Sequence, residues 1–272
     1  MSEWNAMTFE GKDTILRVVR HEAEAMFDMV EQPETWESPT ACAGWSTRDV
    51  VGHIIDTTEG YFRAFDAARG AGDVPEPHGL PRMAEKANEG ATAFRGVPQA
   101  ELVGRLRADF DKMQGILEPL GPDDWTGLMV THAYMGPVPA FFYAAGQLMD
   151  YGVHSWDIRE GQGRVHALAG EAADLLVPFM FAIWQGTIRT ETVTEPFTVG
   201  IRVCGGHNAG DFRVSVSREG MTYEAGEIDS LPAVIEFDAA SLVLRTYGRM
   251  NSGTVRGDQE LAERYLSLFF SI

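Results

Sequence analysis

Residues 146–157 run GQLMDYGVHSWD. Read as a helix, this stretch sends the side chains of Asp150 and His154 off one face, one turn apart. A carboxylate and an imidazole so placed can ligate one metal ion. Far upstream, His53 sits in DVVGHIID (residues 49–56), a second helical stretch. Two helices that brought His53, Asp150 and His154 together would make a three-ligand site with a free position. A catalytic zinc uses that arrangement, at about 2.0–2.2 Å from each N or O ligand.

Working outward, residues 10–31 read as a first helix, with Ile15, Leu16, Val19, Ala23, Met26, Phe27 and Val30 at three- and four-residue steps. A Pro-containing link at 32–40 follows. Ser46 is a good N-cap, and Asp49 falls where a carboxylate can reach back to the free amides. A helix over 47–70 should therefore follow, ended by Gly70 and Gly72. Residues 73–82 read as a Pro- and Gly-rich loop. A third helix fits 98–118, with Leu102, Leu106, Phe110, Met113 and Leu117 on one face. Residues 123–137 look irregular or extended. A fourth helix fits 139–160 and a further one 170–189. Helices joined in this way read as a bundle.

The character changes after about residue 192. Residues 197–203 and 212–216 alternate apolar and polar side chains, and 221–223 do so less cleanly; 234–238 reads as another strand. Residues 239–247 and 258–270 read as helices. The chain is thus expected to be α+β, with a helical bundle over 1–191 and a small α+β domain over 192–272.

The 272 residues carry a net charge of -18. Such an acidic surface argues against nucleic acid or an anionic membrane as partner, because phosphates would be repelled. The two cysteines, Cys42 and Cys204, suggest no disulfide framework and read as thiols in a reducing cytosol. Residues 1–5 show no signal-peptide pattern. The most apolar stretch, 175–184, contains Pro178 and is too short to span a bilayer.

Three segments carry a resemblance to a known family: WESPTACAGWSTRDVVGHI (36–54), residues 150–157, and VRGDQELA (255–262) together with AVIEFD (233–238). With them the chain resembles the mycothiol-dependent maleylpyruvate isomerase family, part of the wider DinB-like metalloenzyme group. The resemblance implies a DinB-like four-helix bundle that holds a divalent metal, and a C-terminal domain similar to sterol-carrier-protein (SCP2-like) folds. The matching metal positions are His53, Asp150 and His154. The family's usual residue at the middle position is Glu, and Asp is one methylene shorter. The resemblance also implies that an arginine of the C-terminal domain binds a substrate carboxylate; Arg249 is the choice here, against a plain solvated arginine.

Each of these residues has a plainer reading. His53 can be a half-buried helix histidine bonded to a carbonyl. Asp150 and His154 can be a helical pair worth only about 0.2–0.5 kcal/mol. Asp157 can orient His154, but packing Trp156 or pairing with Arg159 is the reading adopted. Gln147 can face the site or lie on a plain polar face. Cys42 has no base placed beside it by the sequence and reads as a small packed residue. Cys204 and His207 have C-x-x-H spacing without a second pair, so they read as a loop. His132 reads as exposed near the fourth helix. No Walker or Rossmann spacing occurs.

The expected function is a zinc- and mycothiol-dependent isomerase or S-transferase acting on a small electrophile such as an unsaturated acid. It would be a cytoplasmic monomer or homodimer, with no nucleic-acid or membrane partner. Two other readings stand beside it. One is a non-catalytic carrier, with Phe197, Phe212, Phe237, Leu242 and Leu244 lining an apolar pocket, although these residues read more simply as core. The other is a thiol-independent metal hydrolase or biosynthetic tailoring enzyme.

Overall fold

A computed structural model describes residues 3–269. Met1, Ser2 and the last residue of the helix read over 258–270 lie outside the described residues, and that helix ends earlier than expected, at Leu266. The chain divides into two compact units, residues 1–168 and 169–272. The helix over residues 170–187 groups with the second unit, so the division falls ahead of the 191/192 boundary read from composition.

In the first unit the elements run α1 (Lys12–Val30), α2 (Pro33–Trp36), α3 (Thr47–Ala68), α4 (Met83–Ala93), α5 (Gln99–Leu117), α6 (Pro122–Gly127), β1 (Met129–His132), β2 (Gly136–Pro139) and α7 (Phe141–Gly161). The long helices α1, α3, α5 and α7 form a four-helix bundle, with α1 against α7 and α3 against α5. The periodicity that predicts α1 is the face it buries: Ile15, Val19, Ala23, Met26 and Val30 are fully enclosed. Ser46 and Asp49 close the N-terminus of α3 as a capping box. The Asp49 carboxylate accepts the Ser46 amide at 2.9 Å and Arg95 Nε at 2.8 Å. Burial pushes Asp49 up, but the Arg95 and Ser46 hydrogen bonds outweigh it and hold the carboxyl below its usual range.

Helix α7 is buried along most of its length, from Tyr143 to Ile158. Two bare positions let chain segments approach the site helices closely. At Gly52 on α3, a Cβ would lie 2.6 Å from the Ala91 carbonyl of α4. At Gly161 on α7, a Cβ would lie 2.2 Å from the Pro39 carbonyl. The loop ahead of α3 therefore closes onto the end of α7, and Ala41 N–H donates to the Asp157 carbonyl at 2.9 Å.

The second unit runs α8 (Gly170–Thr187), β3 (Phe197–Cys204), β4 (Gly210–Ser217), β5 (Gly220–Ala225), β6 (Ala233–Asp238), α9 (Ala239–Thr246), β7 (Thr254–Gly257) and α10 (Gln259–Leu266). Its sheet has the order β5-β4-β3-β6-β7, with β3 and β6 parallel and the other pairs antiparallel. The molecule is α+β, as the sequence predicts. Pro178 removes an amide that would bond the Asp174 carbonyl. That carbonyl accepts the Asn208 side-chain amide at 2.8 Å instead, and the Asp174 carboxylate accepts the His207 and Asn208 amides at 2.7 and 2.9 Å. The Cys204–His207 segment is thus a turn docked on α8. Phe237, Leu242 and Leu244 are core residues, as their plainer reading has it. No helix among the described residues is long and apolar enough to cross a membrane.

Candidate metal centre

Helix α3 carries His53 and α7 carries Asp150 and His154, and the bundle brings the three together. One ligand atom from each lies within 4.8 Å of the others. The two imidazoles meet edge to face, with ring centroids 5.2 Å apart. Asp150 and His154 are buried, at 1% and 8% exposure, and His53 is half-buried. The Trp45 ring lies 5.1 Å from His53 and 6.3 Å from His154, its indole N–H donating to Asn88 at 3.1 Å.

Buried polar atoms normally have partners. Asp150 Oδ2 is enclosed and has none. Burial pushes the Asp150 carboxyl up to about 7, with His154 opposing weakly. A carboxylate oxygen left over beside two imidazoles is a donor set that a divalent cation fits: a hard oxygen and two borderline nitrogens.

His154 has a partner on its other side. Its Nδ1 lies 2.8 Å from Asp157 Oδ2. Asp157 is fully buried, and Arg159, read as its alternative partner, donates to the Ser155 carbonyl instead. Asp157 therefore orients the ring, and the packing reading of this residue does not describe it. With Nδ1 bonded to a carboxylate, Nε2 is the nitrogen available to a cation, the usual carboxylate–histidine–metal arrangement. Burial pulls the cation-free His154 ring down, but the hydrogen bonds to Asp157 and Cys42 outweigh it and hold the ring up at about 10. Asp157→Asn is expected to cost 10–100-fold in zinc affinity, read by chelator competition. Unchanged affinity would mean that Asp157 only packs.

Cys42 is the residue the sequence reading missed. Its Sγ donates to Asp157 Oδ2 at 3.1 Å and lies 3.8 Å from His154 Nδ1. An acceptor does stand beside it, contrary to the packed-residue reading. The signal was present in the shared loop with Trp45, but the contact spans more than a hundred residues.

The other candidates fall elsewhere. Gln147 is buried and donates to Thr58 Oγ1 at 3.1 Å. His132 is not the exposed residue expected: its Nδ1 accepts the Tyr134 and Met135 amides at 3.3 Å among the rings of Phe142, Tyr143 and Tyr61. Burial holds His132 down at about 4. Arg249 belongs to the second unit, where its guanidinium donates to the Tyr247 carbonyl at 2.8 Å.

Comparison with known proteins bears on the family and the fold. A family model described as the mycothiol maleylpyruvate isomerase N-terminal domain matches residues 19–159. Among solved structures, the crystal structure of the mycothiol-dependent maleylpyruvate isomerase is 14% identical, with 91% of this chain and 95% of that chain covered and a TM-score of 0.59. A histidine-to-alanine mutant of that enzyme aligns with the same identity, coverage and TM-score. A colibactin self-resistance protein in complex with double-stranded DNA aligns at 14% identity over 57% of this chain and 97% of that one, with a TM-score of 0.48. No curated protein sequence matches. The first two alignments show a shared fold across nearly the whole chain.

Proposed function

We propose that this chain, which belongs to the mycothiol maleylpyruvate isomerase N-terminal domain family, is a metal-dependent enzyme that uses a thiol co-substrate. The observation that carries the proposal is the meeting of His53, Asp150 and His154, with Asp150 Oδ2 enclosed and unpartnered. These three residues would hold a divalent cation, zinc by the donor set.

A cation there would supply Lewis acidity, lowering the pKa of a thiol that reaches it so that thiolate is present near neutral pH. The chain's own residues do the rest. Asp157 engages His154 Nδ1, which would leave Nε2 as the nitrogen for the cation. Trp45 lies beside both imidazoles and narrows access for water. Burial raises the Asp150 carboxyl to about 7, and a bound cation would hold it ionised below that. Arg249 enters the proposal as a guanidinium suited to a substrate carboxylate.

The co-substrate we assign is mycothiol, and the substrate a small electrophile of the unsaturated-acid type. Addition of the thiolate sulfur to one alkene carbon breaks the π bond, sends its electron pair to the conjugated carbonyl as an enolate, and leaves a carbon–carbon single bond that can rotate. Expulsion of the same sulfur restores the double bond in the other geometry, with no net loss or gain of atoms. An S-transferase would stop at the adduct, whose enolate takes a proton from solvent.

Purified protein with zinc, mycothiol and maleylpyruvate or a general thiol acceptor is expected to turn over only when metal and thiol are both present. Stoichiometric zinc without turnover on any acceptor would overturn the thiol chemistry. Turnover of an ester or amide without thiol would favour the hydrolase reading. Co-purified lipid without metal, seen by native mass spectrometry, would favour the carrier reading.

A further inference from the structure

Among the described residues, a second group can hold a cation: Cys42, His154 and Asp157, each offering one ligand atom, all within 4.8 Å of one another. It shares His154 with the centre described above but uses the opposite face of the ring. We propose that Cys42 Sγ, His154 Nδ1 and Asp157 form a second, thiolate-bearing cation position, linked to the first through the His154 imidazole.

The distances carry this. Tetrahedral zinc, with bonds of about 2.3 Å to sulfur and about 2.0–2.1 Å to nitrogen or oxygen, sets S···N near 3.6 Å and N···O near 3.4 Å. Here Sγ···Nδ1 is 3.8 Å, Sγ···Oδ2 is 3.1 Å and Nδ1···Oδ2 is 2.8 Å. The largest adjustment is an opening of about 0.6 Å between His154 and Asp157. In the cation-free protein these atoms are held by two hydrogens converging on one oxygen, Asp157 Oδ2. A cation replaces both: the Cys42 and Nδ1 protons leave to solvent, S–M and N–M bonds form, and no electrons are transferred.

The surroundings hold the donors in place. Thr40 Oγ1 accepts the Cys42 amide at 3.2 Å and donates to the Trp45 carbonyl at 3.0 Å, which fixes the loop. Ala41 N–H ties that loop to the Asp157 carbonyl at 2.9 Å. Asp157 is fully buried and Cys42 half-buried, so a cation would enter from the cysteine side. Thiolate selects softer ions, so zinc, cadmium or cobalt(II) fit this position and magnesium does not.

The proposal rests on His154 ligating the first position through Nε2, and cobalt(II) separates the two ideas. Titration of the whole protein with cobalt(II) is expected to raise a near-ultraviolet sulfur-to-cobalt charge-transfer band. The band should vanish in Cys42→Ser and persist in His53→Ala and Cys204→Ser. Cobalt bound without the band would overturn the second position while leaving the first intact. A band that survives Cys42→Ser would overturn it too. Absence of bound cobalt from every form would sink both positions.

Discussion

Protein carrying His154→Ala is expected to purify with almost no zinc, while His53→Ala and Asp150→Ala retain less than the wild type. Loss of an outer hydrogen-bond partner costs 10–100-fold in affinity, so loss of one of three direct ligands should cost at least ~100-fold. His154 should cost most because its ring belongs to both candidate groups and is the part of the site fixed by Asp157. Asp150→Ala removes the only carboxylate of the first group and leaves two neutral imidazoles, which bind a divalent ion without charge compensation. Elemental analysis of the four proteins side by side, with chelator competition on the wild type, makes the measurement. Equal metal content in all four would leave the three residues as a buried polar cluster and remove the chemistry built on them.

The candidate triad was legible because His53 sits on the amphipathic helix α3, and Asp150 and His154 sit one turn apart on α7 among apolar neighbours such as Leu148 and Val153. The i,i+4 pair needs no tertiary knowledge, and the capping box at Ser46 and Asp49 sets the start of the helix that bears His53. The environment of the triad was not legible. Cys42 reaches Asp157 only because Gly161 lets the loop backbone at Pro39 come within a distance that any side chain would block. A glycine near a helix end reads as a terminator, not as a docking point. Helix α4 was missed for a different reason: Ala91 is its one buried residue, so no apolar stripe marks it. Strand β7 is mostly exposed at the sheet edge and lacks alternation. Helix α8 reads simply as apolar, and nothing in that pattern says which unit it joins.

The metal-free protein is expected to lose stability as pH rises, and the metal-loaded protein is expected to pull away from it. Asp150 has its carboxyl raised to about 7 in the fold, against the ordinary 3.8 when unfolded. Between those values the folded state binds more protons than the unfolded one, so stability falls across about pH 4 to 7. His154 is raised to about 10 from 6.5. Its contribution is complete below the unfolded value and is lost as pH climbs through the folded one. Both groups therefore tilt the cation-free protein the same way. A cation reverses the tilt, because it needs Asp150 ionised and Nε2 of His154 unprotonated. Its stabilisation, about 2.7 kcal/mol at a free concentration 100 times Kd, should grow with pH as proton competition fades. Melting curves at pH 5, 7 and 9, with excess zinc and with chelator, should show a gap in Tm that widens at each step. Metal-free Asp150→Asn should lose the slope between pH 4 and 7 and gain less from zinc than the wild type does. A gap that stays constant, or narrows toward pH 9, would mean that protons and cation do not compete for these side chains, and the cation would then have to sit elsewhere.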